Sequence, residues 1–389
     1  MTRHVWVLSL CQALLMSGNI LLISIVGLVG QQLAPNASMI TFPVGLQFVG
    51  LMLATVPASM IMAKTGRKVG FSIGNLVGIC GAALTSLGVY QNSFIVFCAG
   101  CLLLGIGIGF ATLYRFAAME VCEPEARERA LSISMAGGVL AALLGPNLAL
   151  WSKGLIVGHD FLGAFLAIIA LNIVSMIILQ SVKFKSIHST LADEKPDRLS
   201  DIIKAPNFLL AVVAATVSYA VMNILMTATP LAMIGCGFDF SKAAGVIEWH
   251  VLGMFVPAFF TGRLIEKFGN TKMIVAGGLL FIVCIAINIH GVSIWHFTMA
   301  LVLLGVGWNF MFISATSLFS QTYLTKNRAK AQACNEFIVF SSVALTAMLS
   351  GWLEATIGWQ ALNLYVLPFV IAVILGIIFA SKRNVERTA

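Results

Sequence analysis

Long apolar segments alternate with short polar stretches along the whole chain. Each apolar segment holds about 20 residues, the length of helix that crosses roughly 30 Å of hydrocarbon. Backbone groups in lipid must hydrogen-bond within the protein, and continuous helices satisfy that need. The pattern predicts twelve membrane-spanning helices, spans 1 to 12 in chain order, at residues 6–29, 39–63, 69–90, 94–118, 131–151, 160–181, 206–230, 241–263, 272–290, 296–322, 331–353 and 360–381.

Basic residues concentrate on one side of the membrane when the loops are assigned to alternate sides. Of the 23 Lys and Arg residues, only Lys153 and Lys242 fall on the side opposite the termini. Basic loops stay in the cytoplasm, so we expect both termini to be cytoplasmic. An error of one span would mix the two sets, so the charge pattern also supports the number twelve. The short outer loops favour a bacterial inner membrane.

Composition argues against several classes of function. Hydrophobic residues make up 59% of the chain and charged residues 10%, whereas a soluble domain has about 25% charged residues. The net charge of +8 is explained by loops that face anionic lipid, so we expect a bilayer and no nucleic acid as partner. The sequence has no nucleotide-binding motif and no convincing set of metal ligands, so we expect no cofactor, no metal and no enzymatic activity.

One polar stretch divides the chain into two sets of six spans. We predict an N-terminal six-helix bundle at residues 1–181, a cytoplasmic linker at 182–205 and a C-terminal six-helix bundle at 206–389. Within the linker, Leu199–Ile203 is suited to lie along the inner membrane surface.

Three short motifs recur in the same order in the second half, at offsets of 200 to 203 residues. Such internal repeats are typical of secondary transporters, which place the substrate between the two halves. The pairs are Leu104–Gly107 with Leu304–Gly307, Arg127–Ala130 with Arg328–Ala331, and Ser59–Arg67 with Gly262–Asn270.

The last of these pairs resembles the loop signature of the major facilitator superfamily, G-x-x-x-D-R-x-G-R-R. The copy at Gly262–Asn270 follows the pattern, whereas the first copy has Ser59 for Gly and Ala63 for Asp. The resemblance implies an all-α integral membrane protein with two pseudo-symmetric six-helix bundles, which acts as a monomer by alternating access. It also implies a gating role for eight residues: Ser59, Lys64, Gly66, Arg67, Gly262, Glu266, Lys267 and Gly269.

A second motif of the superfamily, found on span 5 of antiporters, is partly present. Gly145 and Pro146 are retained, but Ala141 and Ala149 stand where the motif has glycine. The partial match is weak support for export.

Two titratable residues lie inside span 8. Glu248 and His250 are candidates for proton coupling, because a desolvated carboxyl group and an imidazole can both titrate near neutral pH. Residues two apart on a helix point about 200° apart, so we expect only one of them to face the cavity. The alternative for each is a hydrogen bond between helices.

Polar residues at other depths are candidates for binding substrate. Arg115 on span 4 could bind an anion, close the cytoplasmic gate or extend to the interface, while Glu120 and Glu336 suit local ion pairs. A tryptophan near the midplane could stack on a planar substrate, with a neighbouring amide fixing its orientation. Helix packing is the alternative for these neutral candidates: Asn19, Gln47, Asn223, Trp308 and Asn309.

These observations favour a proton-coupled secondary transporter that exports a small amphipathic drug or metabolite. Gly145 and Pro146 support export. The main alternative, motivated by Arg115, is proton-coupled uptake of an anionic nutrient or metallophore. A second alternative is a membrane receptor that transports nothing.

Overall fold

The computed structural model describes residues 3–123, 127–182, 184 and 197–388. Within these residues the regular structure is helical, without strands, which confirms the predicted all-α class. The α-helices are α1 Arg3–Leu33, α2 Phe42–Thr65, α3 Arg67–Tyr90, α4 Phe94–Ala111, α5 Tyr114–Glu120, α6 Arg127–Ser152, α7 Leu162–Leu179, α8 Leu199–Ile203, α9 Phe208–Gly235, α10 Phe240–Phe255, α11 Ala258–Phe268, α12 Asn270–His290, α13 Ile294–Ser320 and α14 Arg328–Thr388.

Each of the twelve predicted spans overlaps helical structure. In the described part of the chain, nine helices are long and apolar enough to cross a membrane, or ten if α10 and α11 form one bent span. Gly358, with φ of 80°, divides α14 into two spans, and α6 completes the set of twelve. The short α8 occupies the linker segment that was expected at the membrane surface.

Two spans that were predicted as continuous are broken. Span 4 consists of α4 and α5, and at the break the Thr112 hydroxyl donates to the Gly109 carbonyl at 2.8 Å, in competition with the backbone. Span 8 consists of α10 and α11, which meet at an angle of 42°. Pro257 lies at that break, and proline supplies no N–H to continue the helix.

The two halves use glycine in the same way. A side chain at Gly105 would collide with the backbone of Gln47, and one at Gly305 would collide with the backbone of His250. These glycines belong to one repeat and let span 4 approach span 2, and span 10 approach span 8. The turns after α2 and α11 also match, since Gly66 has φ of 88° and Gly269 has φ of 83°.

The halves contact each other through one end of the bundle. We name the end that carries the Lys64 and Lys267 loops the basic end, and the opposite end the far end. Near the far end the hydroxyl of Thr41, the residue before α2, donates to the Met348 carbonyl of α14 at 2.9 Å and accepts from the Gly351 N–H at 3.0 Å. We name this contact between the halves the seam.

Aromatic and basic side chains extend the seam. The rings of Phe161 and Phe240 meet edge to face at 5.4 Å, and the Lys153 ammonium lies 5.4 Å from the Phe240 ring centroid. Lys153 is one of the two lysines that were assigned to the outer side. At this end it joins the N-terminal half to the C-terminal half.

Towards the basic end the halves separate. On the far-end side of its middle, every residue of α9 from 221 to 230 is buried. Arg115 is exposed even though protein surrounds it on most sides, as is typical of a residue that lines a cleft. The cleft therefore opens towards the basic end. Most of the predicted linker, at 183 and 185–196, lies outside the described residues, so the predicted domain boundaries stay predictions.

Candidate substrate cavity

An aromatic cluster formed by three helices of the C-terminal half lies beside the cleft. The rings of Trp308 and Phe312, one turn apart on α13, stack at 5.1 Å with an angle of 9° between their planes. Tyr219 of α9 meets Trp308 edge to face at 5.5 Å. It also contacts the ring of Phe340 of α14 at 5.9 Å. We name these four residues the aromatic cluster.

The indole of Trp308 has an unused donor. Trp308 is 9% exposed, and its Nε1 atom is buried without a hydrogen-bond partner. An unpaired buried donor costs about 1–3 kcal/mol. A ligand that presents a carbonyl or ring nitrogen acceptor to the cluster would recover that cost.

Two opposite charges from the two halves approach the cluster. Arg115 of α5 and Glu336 of α14 lie close enough for their charges to interact, and both interact with Tyr219. The Arg115 guanidinium lies 4.9 Å from the centroid of the Phe116 ring. Among the residues that the structure describes, it has no direct ion pair. Arg115 is therefore available to a ligand or to a partner across the cleft.

Amide side chains lie closer to the seam. The Gln47 Nε2 group donates to Asn19 Oδ1 at 2.6 Å, and Asn223 Nδ2 donates to the Val343 carbonyl at 3.2 Å. Gln47 Oε1 and Asn223 Oδ1 are buried without partners. Gln47 and Asn223 are buried in this conformation, while Asn19 is partly exposed.

Glu248 and His250 point to different neighbours, in line with their expected divergence. Glu248 is partly buried, and its Oε2 atom accepts a hydrogen bond from Asn147 Nδ2 of α6 at 2.9 Å. This bond crosses the seam between the halves. His250 is fully buried, with Nδ1 2.8 Å from the Leu301 carbonyl in its own half. Of the two, Glu248 alone is bonded across the halves.

The side chain of Asn309 is hydrogen-bonded to residues of its own half. Its Oδ1 atom accepts from the Thr261 hydroxyl at 2.6 Å, and its Nδ2 group donates to the Met254 carbonyl at 2.7 Å. These bonds reach both α10 and α11. Asn309 therefore fixes the break in span 8, which is the packing alternative for this residue.

The first copy of the loop motif uses an acid from another helix. Arg67 at the start of α3 forms a two-point ion pair with Glu120 at the end of α5, with an Nε–Oε2 distance of 3.0 Å and an Nη2–Oε1 distance of 2.5 Å. Neighbouring Lys68 donates to the Gln180 carbonyl at 2.9 Å. Glu120 thus supplies a carboxylate in a half that lacks the motif's Asp at position 63.

The remaining motif residues lie near the basic end or on α6. Ser59, Lys64, Gly262, Glu266 and Lys267 are exposed, and Lys267 lies 5.3 Å from the ring centroid of its neighbour Phe268.

On α6, a side chain at Gly145 would collide with Ile20 of α1. Pro146 lies inside the helix and directly precedes Asn147, the partner of Glu248. The span 5 motif therefore positions both the contact with α1 and the bond across the seam.

Sequence reasoning missed several members of the cavity. It did not select Tyr219, Phe312, Phe340 or Asn147. The spacing of four residues between Trp308 and Phe312 was an available signal, because such residues share a helix face.

Comparison with known proteins identifies the family. The sequence profile of the Major Facilitator Superfamily matches residues 8–249 and 246–389. The chain belongs to the major facilitator superfamily. It is therefore a membrane transporter and not an enzyme.

Relatives within this superfamily cover nearly the whole chain. The riboflavin transporter RfnT of Brucella anthropi is 37% identical over 384 residues, which cover 98% of this chain and 96% of the relative. The uncharacterized MFS-type transporter YdeG of Bacillus subtilis is 28% identical, with coverage of 93% and 88%.

Solved structures of superfamily members share the fold. The E. coli fucose:proton symporter FucP has a TM-score of 0.63 at 18% identity, with coverage of 97% of this chain and 98% of that one. The nucleoside transporter NupG has a TM-score of 0.71 at 11% identity, with coverage of 96% and 99%. These likenesses confirm the architecture of two six-helix bundles.

Proposed function

We propose that this chain takes up riboflavin, or a flavin with the same ring system, by alternating access. The aromatic cluster carries the proposal. A flavin ring is flat, has three fused rings and bears carbonyl groups, so it suits stacking surfaces beside a free N–H donor. Trp308 supplies both a ring and that donor. The 37% identity to a riboflavin transporter supports the same substrate class.

Uptake replaces export as the preferred direction. Export rested on the incomplete motif at Gly145 and Pro146, whose residues serve helix contacts in this structure. A flavin is a nutrient that a cell gains by import. The proposal retains uptake from the sequence analysis but changes the substrate from an anion to an uncharged planar molecule. It places the basic end in the cytoplasm of a bacterium and takes the monomer as the working unit.

We further propose that protons drive this uptake through Glu248. This carboxylate holds the seam through Asn147, so its protonation would change the bond between the halves. Glu248→Gln removes the titratable proton but keeps an oxygen that can accept from Asn147. We expect that variant to lose accumulation against a gradient and to retain exchange of internal for external riboflavin. Full accumulation by the variant would refute the assignment.

Riboflavin uptake tests the proposed function directly. The chain is expressed in a bacterial strain that neither makes nor imports riboflavin, and growth and initial uptake are measured. Growth at micromolar riboflavin supports the proposal, and its absence despite membrane expression refutes it.

Substitution of Trp308 tests the site. Stacking of a base on an aromatic side chain contributes about 1–3 kcal/mol, so Trp308→Ala should weaken binding at least fivefold. Trp308→Phe keeps a stacking ring and should retain more affinity. Trp249→Ala is the matched control, since Trp249 is 57% exposed. Fluorescence titration of riboflavin measures the affinity, and equal losses in Trp308→Ala and Trp249→Ala would reject the aromatic cluster as the site.

A further inference from the structure

A groove of about 660 Å³ lies on the C-terminal half, lined by α9 and the last part of α14. Its walls are almost wholly apolar, with Leu209, Val213 and Val217 on one side and Phe369 and Val373 on the other. The residues of the aromatic cluster do not line it. It is therefore a different site from the cavity proposed for the substrate.

The length of the groove matches one leaflet of a bilayer. On α9 the lining runs from Leu209 to Val217, which is roughly 12 Å at 1.5 Å per residue, and Ala205 and Asn207 extend it just before the helix begins. On α14 it runs from Phe369 to Ala380, in the opposite chain direction. Half of a bilayer's hydrocarbon core is about 15 Å thick. One acyl chain that starts at the basic end would fill the groove.

The mouth of the groove at the basic end is positive. Lys204 lines the mouth, is exposed and has no ion pair among the described residues. Asn207 precedes α9 with φ of 62° and makes no side-chain cap, and the Phe208 N–H donates to the Ala205 carbonyl at 3.1 Å. The positive end of the α9 helix dipole therefore lies at the mouth. Asp201 is exposed one turn before Lys204, and the charge of Arg198 balances it.

We propose that this groove binds one anionic phospholipid of the leaflet at the basic end. An acyl chain lies between α9 and α14, and the phosphate lies at Lys204 and the N-terminus of α9. A lipid fits better than a soluble anion, because the walls beyond the mouth offer apolar contact and little else. The inference does not depend on the transported substrate.

Lipid at this position would affect α9, the helix that carries Tyr219 of the aromatic cluster. Val217 precedes Tyr219 of the aromatic cluster by two residues on the same helix. A bound acyl chain therefore supports the face of α9 behind the cluster and favours this packing of α9 against α14.

Native mass spectrometry of the full chain, with equal amounts of phosphatidylglycerol and phosphatidylcholine, tests the proposal. One basic residue near anionic lipid contributes about fivefold in affinity. We expect the wild type to retain phosphatidylglycerol in preference to phosphatidylcholine. Lys204→Gln should reduce that preference about fivefold, while Lys242→Gln at the far end should leave it unchanged. Gly376→Phe should reduce retention of both lipids, because the ring would occupy the groove.

Several results would overturn the proposal. It fails if the wild type shows no preference for phosphatidylglycerol, or if Lys204→Gln and Lys242→Gln lose it equally. It also fails if Gly376→Phe, with an unchanged unfolding temperature in detergent, retains lipid as the wild type does. Riboflavin uptake by the wild type is scored separately, so the two proposals can fail independently.

Discussion

Asn147→Ala should weaken the seam between the two halves. The Asn147 Nδ2 group donates to Glu248 Oε2 at 2.9 Å across the halves and to the Leu143 carbonyl at 2.8 Å within α6. Removal of the amide leaves the carboxylate without this partner. The far end should then open more often, since the bond exists only while the halves are in contact there.

The size of the effect follows from the environment of Glu248. A hydrogen bond to a charged group contributes about 1.5–3 kcal/mol net. Glu248 is partly buried, so water can replace part of the lost bond, and the lower value applies. About 1.5 kcal/mol corresponds to a tenfold shift in the equilibrium between closed and open seam.

A cysteine buried in the seam reports this shift. Ala344 is 4% exposed, and its carbonyl faces Gly45 of α2, so Ala344→Cys should react only when the seam opens. Exposed Cys80 and Cys236 are first replaced by serine. Labelling by a membrane-impermeant maleimide should be about tenfold faster with Asn147→Ala.

Asn172→Ala is the matched control. Like Asn147, Asn172 donates to the carbonyl four residues earlier on its own helix, that of Ile168. Its amide nitrogen makes no bond to the other half among the described residues. Asn172→Ala should leave the labelling rate unchanged. Unchanged labelling in Asn147→Ala, or an equal increase in both variants, would refute a role of the Asn147–Glu248 bond in holding the seam.

Three further predictions concern the basic end. Arg115→Glu should lower initial riboflavin uptake at least tenfold. If the charges of Arg115 and Glu336 meet when the cleft closes, the exchanged pair Arg115→Glu with Glu336→Arg should recover most of that uptake. No recovery would contradict a contact between these two charges. Glu120→Gln should lower the unfolding free energy by about 1 kcal/mol, because it removes the two-point ion pair between Arg67 and Glu120. Thermal unfolding measures this change. A change below about 0.2 kcal/mol would show that the ion pair is not stabilising. Hydrogen bonds from Lys326 and then Asn327 hold the pKa of Asp197 below its ordinary value, so its attachment to the loop before α14 should persist at neutral pH and be lost as the pH falls below about 4. The loss should appear as a lower hydrogen-exchange protection factor in Leu199–Ile203, which corrects for the pH dependence of intrinsic exchange; an equal protection factor at pH 7 would contradict it.

The fold could be predicted because a bilayer allows few solutions. Length, apolar composition and the sidedness of lysine and arginine locate spans without any knowledge of contacts. The breaks within spans depend on local chemistry. Pro257 was visible inside the predicted span 8, whereas the break at Thr112 involves a hydroxyl that suits a continuous helix equally well.

The site could be predicted only in part, because its contacts join distant residues. Helix geometry separated Glu248 from His250, but it could not show that Asn147, 101 residues away, is the partner of Glu248. Glu120 lies 53 residues from Arg67, so its place in the loop motif was equally hidden. Sequence pattern restricts which face a residue occupies, and tertiary packing decides what that face meets.

The unpaired amides would lower the free-energy cost of opening the seam. Gln47 Oε1 and Asn223 Oδ1 are buried without partners, at a cost of about 1–3 kcal/mol each. Opening at the far end would admit water to these atoms and recover part of that cost. The loss of the bonds at Thr41 and Glu248 would then be offset by hydration of the amides. Two states close in free energy are what alternating access requires, because a substrate or proton can shift only a nearly balanced equilibrium.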